Sequence, residues 1–168
     1  KRDVTNHNLK TYYMLSWLNE DNDSYYILAF CVGKIVIYEL NSDEIYAELK
    51  SNTQFEQDCI YCTGCFVGEE NENLWASREG GNWCEWDLKK QFLICSFNID
   101  NFHVNNILKW SERYIIITDK FKNEISIIDL IIKKVITKIR IFKKHFSKIK
   151  KIRIPNYGEC LITADHDH

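Results

Sequence analysis

The chain has 168 residues, with Lys+Arg 22 against Asp+Glu 24 and a formal charge of −2, and it is 45% hydrophobic and 14% aromatic. Those values bound it to one globular domain or a piece of one. No apolar run approaches the ~18 residues a membrane helix needs, and no signal-peptide core opens the sequence, so membrane spans and secretion are unsupported and an intracellular setting, cytoplasmic or nuclear, is expected.

In chain order, Tyr25–Cys31 is an apolar and aromatic run, Val32–Lys34 turns it, Ile35–Leu40 follows, a second turn covers 41–44, and Ile45–Lys50 closes. This reads as strand, tight turn, strand, turn, strand. The order recurs as Leu74–Ser77, a turn over Arg78–Gly81, Asn82–Leu88, a turn at Lys89 and Lys90, and Gln91–Phe97. It recurs again as Tyr114–Thr118, a polar turn through Glu124, Ile125–Leu130, a turn at Lys133 and Lys134, and Val135–Ile141. Tyr38-Glu39, Trp86-Asp87 and Ile128-Asp129 fall in register at intervals of 48 and 42 residues. Each triplet follows another apolar stretch, Thr11–Trp17, Ile60–Val67 and Val104–Trp110, with Lys148–Ile154 opening a further unit. The predicted unit is four antiparallel strands, roughly 40–50 residues long.

The repeats resemble those of the WD-repeat β-propellers. The best match is His145 through Asp167, which offers a His, the apolar pair Ile149 and Ile152, a Pro155-x-x-Gly158 turn, then Leu161-x-Thr163-Ala164 and an acid. The third repeat offers His103, Ile107, Thr118 and Asp129, and the second the literal Trp86-Asp87; the turn-acid positions hold Val32, Gly80 and Lys122. The resemblance implies an all-β fold, part of a WD-repeat propeller, with approximate blades over 8–50, 58–97, 103–141 and an incomplete 145–168. It also implies that His145, Thr163 and Asp167 join a structural hydrogen-bonded network. The implied function is a non-catalytic scaffold that mediates protein–protein interactions within a larger complex.

Seven cysteines, an odd number without a paired pattern, argue against a disulfide framework. They lie in or beside the apolar runs, where free Cys acts as a small hydrophobe. Cys59-x-x-Cys62-x-x-Cys65 invites a metal reading, but a spacing of three sends Cys59 and Cys62 to opposite faces of a regular strand, so no metal is expected there. Asp165-His-Asp-His168 reads as turn chemistry. No nucleophile elbow or phosphate-cradling loop is present, so no catalytic residue and no cofactor is expected. Trp75, Trp83 and Trp86 crowd one repeat; alternation puts Trp86 with Cys84 on one face and Trp83 on the other, which suits packing between blades.

Charge is unevenly spread. Residues 130–158 hold ten Lys or Arg and no acid, leaving −12 on the remainder. Interleaved Ile residues facing the core beneath solvated lysines account for the pattern simply. The functional alternative is an electropositive surface, with Lys143, Lys144, Lys148, Lys150 and Lys151 as candidate partner-binding residues for proteins with acidic surfaces. A nucleic-acid-associated factor using residues 133–153, or a propeller segment of an enzyme whose catalytic groups lie outside this chain, are the alternatives.

Overall fold

The computed structural model describes residues 10–42, 44–50, 59–68, 71–99, 102–119, 121–122, 124–140, 146–156 and 158–165. Strands β1 (Tyr13–Asn19), β2 (Ser24–Phe30), β3 (Lys34–Glu39) and β4 (Ile45–Lys50) form the first sheet. The second holds β5 (Tyr61–Val67), β6 (Asn73–Arg78), β7 (Asn82–Asp87) and β8 (Phe92–Asn98). The third holds β9 (Val104–Lys109), β10 (Tyr114–Asp119), β11 (Glu124–Asp129) and β12 (Lys134–Arg140). A two-stranded sheet of β13 (Phe146–Ile154) and β14 (Gly158–Asp165) follows. Every pairing is antiparallel between consecutive strands. Among the described residues the one helical element is a 3-10 turn, Glu79–Gly81.

The expected strand triplets and their preceding strand therefore form real four-stranded units, and they repeat in detail. The third and fourth strands of each sheet slip register at one recurring place, between Ile37 and Tyr38, Glu85 and Trp86, and Ile127 and Ile128. The aligned acids Glu39, Asp87 and Asp129 end the third strand in all three sheets. The leucine after each acid then donates its N–H back to the N-terminal end of the second strand: Leu40 to Tyr25, Leu88 to Glu72, Leu130 to Arg113. The acids close their turns. Asp87 Oδ1 accepts from Lys90 N at 2.8 Å, and Asp129 Oδ1 accepts from Ile131 N at 2.9 Å and Ile132 N at 3.3 Å. A bulge followed by an acid that caps the turn is thus the local signature of the repeat.

The sheets pack face to face, and their first strands lie side by side: β1 against β5, β5 against β9, β9 against β13. Between the first and second sheets, Trp17, Tyr26, Leu28, Phe30, Ile35, Ile37 and Leu49 meet Tyr61, Leu74, Cys84, Trp86 and Leu88. Between the second and third, Cys65, Val67, Trp75 and Trp83 meet Ile115, Ile117 and Ile128. Ile116 and Ile125 carry the packing on to Ile149 and Leu161. Strand alternation produces this division: Trp86 faces one junction and Trp75 and Trp83 the other, all three buried. At the inner contact the space is tight, since a Cβ on Gly64 of β5 would lie 2.7 Å from Phe30 Cζ and 2.8 Å from the Trp75 carbonyl oxygen.

Candidate functional site

The first strands begin, and the second strands end, at one end of the stack, where a cavity of about 510 Å³ opens. Tyr12 and Tyr13 reach it from the first sheet, Cys62 and Arg78 from the second, His103 and Phe121 from the third. In the third sheet one side chain organises the rim. Buried Asp119, paired in register with Val104, accepts the His103 backbone N–H on Oδ2 at 3.1 Å. Its Oδ1 takes the N–H groups of Phe121 and Lys122 at 2.8 and 2.9 Å. The His103 and Phe121 rings then meet edge to face at 5.0 Å, and Phe121 is 71% exposed. On the second sheet Arg78 is buried with its guanidinium 5.9 Å from the Tyr61 ring centroid, while Glu79 is exposed on the lining beside it. The Gly80-Gly81 pair behind it, both at φ 77, makes that turn possible.

Chemically this mouth offers aromatic faces and edges flanked by a cation and a carboxylate on hydrogen-bonded turns. Such a set can offer a bound group ring contacts and short polar contacts. The rim residues were not predicted as a site from sequence. The repeat spacing sets the turn acid at Lys122, three residues past Asp119, so the sequence does not single Asp119 out. The likeness is one of register and not of spacing: Asp165 stands opposite Phe146, one residue past His145, as Asp119 stands opposite Val104, one residue past His103.

The residues singled out from sequence are scattered. His145 and Asp167 lie outside the described residues, and Thr163 is exposed on β14 opposite Ile149. Lys143 and Lys144 also lie outside them. Lys148 and Lys150 are exposed on β13, whereas Lys151 is partly buried, 2.8 Å from the Trp110 carbonyl oxygen, over the Trp110 ring and paired with Glu159. Lys133 pairs with Glu85 and Lys138 with Glu124. Exposed Lys134, Arg140, Lys148, Lys150 and Arg153 have no ion pair among the described residues.

Cys62 sits at a bulge between Tyr61 and Thr63, lines the mouth and donates to the Ile60 carbonyl at 3.6 Å. Cys65 faces the junction with the third sheet. Among the described residues no three His, Cys, Asp or Glu side chains come together as metal ligands. No helix among them is long and apolar enough to cross a membrane. Comparison of the chain with protein-family models and with curated proteins finds no match.

Proposed function

We propose that the chain is a propeller-type scaffold of the WD-repeat kind, non-catalytic, which holds an extended segment of another protein at the mouth rimmed by Tyr12, His103 and Phe121. One observation carries the reading: four successive sheets lie side by side through their first strands and leave an aromatic cavity at the end where those strands begin. The repeated bulge and acid-capped turn support the propeller-type repeat, and the seven free cysteines support an intracellular setting. The hydrogen bonds of Asp119 to the backbone of His103, Phe121 and Lys122 hold the rim in place, which limits the ordering cost of binding.

A second reading rests on the exposed Lys148 and Lys150, which would draw an acidic partner to β13. The two are separable with one purified partner and two variants. Tyr12→Ala with Phe121→Ala should weaken binding about tenfold or more, because exposed aromatic anchors carry much of such interfaces. Lys148→Glu with Lys150→Glu should leave it within about twofold at moderate salt. The reverse pattern would reject the mouth and establish the basic strand.

A further inference from the structure

At the junction of the second and third sheets, remote from the strand ends that form the mouth, three titratable side chains from three elements meet. Lys133, in the turn between β11 and β12, places Nζ 2.5 Å from Glu85 Oε2 of β7 and 3.0 Å from Cys95 Sγ of β8. The Cys95 thiol donates to the same Glu85 oxygen at 3.5 Å. Glu85 and Cys95 are direct cross-strand partners, so the sheet itself holds them together. Lys133 is held from its own side by a left-handed backbone, φ 54, at the turn position that Gln91 occupies with φ 56 in the preceding repeat. Its ammonium lies over the rings of Phe97 at 5.0 Å and Trp75 at 5.7 Å. The group is partly screened from water, with the Lys133 side chain 32% and that of Glu85 14% exposed.

We propose that Cys95 and Lys133 form a reversible sulfur–nitrogen cross-link when the protein meets hydrogen peroxide. In the first step the Cys95 thiol gives its proton to Glu85, and Sγ attacks one peroxide oxygen. The O–O bond breaks, and the departing hydroxide takes that proton and leaves as water. Sulfur is oxidised by two electrons to sulfenic acid and the peroxide is reduced. In the second step Lys133 gives a proton to Glu85, the Nζ lone pair attacks Sγ, and the S–O bond breaks as hydroxide departs with that proton as a second water, after which the bonded nitrogen releases its extra proton to solvent. The Sγ–Nζ bond replaces the S–O bond with no further oxidant. A thiol reductant reverses it by attacking the sulfur. The product ties the edge strand of the second sheet to the turn of the third.

Cys65 offers the contrast: burial pushes its thiol up to about 12, which withholds the thiolate that peroxide needs.

The test is to expose the full chain to dilute hydrogen peroxide, block free thiols and digest with trypsin without reductant. The Cys95 peptide should be joined to a peptide in which Lys133 has escaped cleavage, about 2 Da below the sum of the two, as loss of two hydrogens requires. Dithiothreitol should separate them. Lys133→Arg keeps a cation beside Glu85 but cannot close the link, so its Cys95 should run on to sulfinic acid. The oxidised parent should melt roughly 5 °C or more above the reduced one, a shift absent from Lys133→Arg. Recovery of Cys95 as sulfinic acid or as a disulfide, with normal cleavage after Lys133, overturns the proposal. So does a link about 14 Da heavier than the sum, which retains an oxygen and excludes the condensation step.

Discussion

Asp129 shows what a single aligned acid does in this fold. Its side chain is buried, and burial opposes ionisation, yet the Arg113 guanidinium at 2.8 Å and the N–H groups of Ile131 and Ile132 outweigh it and hold the carboxyl below its usual pKa. A depressed carboxylate contributes stability that is complete above the ordinary value near 3.9 and is lost as pH falls through the lower folded value. Asp129→Asn should therefore unfold at lower denaturant than the parent at pH 7, and the gap should narrow as pH drops below about 4. A gap independent of pH would show that shape, not charge, fixes this turn. Gly64 fails for a different reason when altered: Ala there must displace the Phe30 ring or the Trp75 carbonyl. Gly64→Ala should cost about 1–3 kcal/mol in chemical denaturation. The acids were legible in sequence because they stand just before a turn at a fixed interval. Gly64 was not, since the Phe30 ring it meets comes from another sheet, and Asp119 was not, since it stands three residues before the position where the repeat spacing sets a turn acid.

At the scale of strands, two-residue alternation was the most informative pattern. It correctly divided Trp86 and Cys84 from Trp83, because a pleated strand leaves no other arrangement for neighbours in sequence. It served less well for Cys59-x-x-Cys62-x-x-Cys65: Cys59 precedes β5, and a bulge at Cys62 interrupts the regular strand on which the argument rested. Alternation also predicts which substitutions matter. Trp86→Ala, at a junction packed on both sides, should lower stability by about 3–5 kcal/mol in equilibrium unfolding. Ile136→Thr on the exposed edge strand β12 should change it by no more than about 0.5 kcal/mol. Similar costs at both positions would mean that β12 is covered in solution.

Across the whole molecule, the dipolar charge pattern resolves partly into contacts between sheets. Lys89 reaches Asp21 from the second sheet to the first, Lys133 reaches Glu85 from the third to the second, and Lys151 reaches Trp110 from the last sheet to the third. Sequence revealed the excess of lysine but not these partners, which lie 68, 48 and 41 residues away. Exposed pairs such as Lys89 with Asp21 add at most about 1 kcal/mol each, so apolar packing between sheets decides the arrangement. That stacking is the premise of the mouth and of the scaffold reading. Its most direct test is a nuclear Overhauser spectrum of isotope-labelled protein. Stacked sheets give cross-peaks from the Phe30 ring to the Gly64 α protons, together with the antiparallel pattern inside each sheet. Intact patterns within the sheets with no Phe30–Gly64 cross-peak would contradict it.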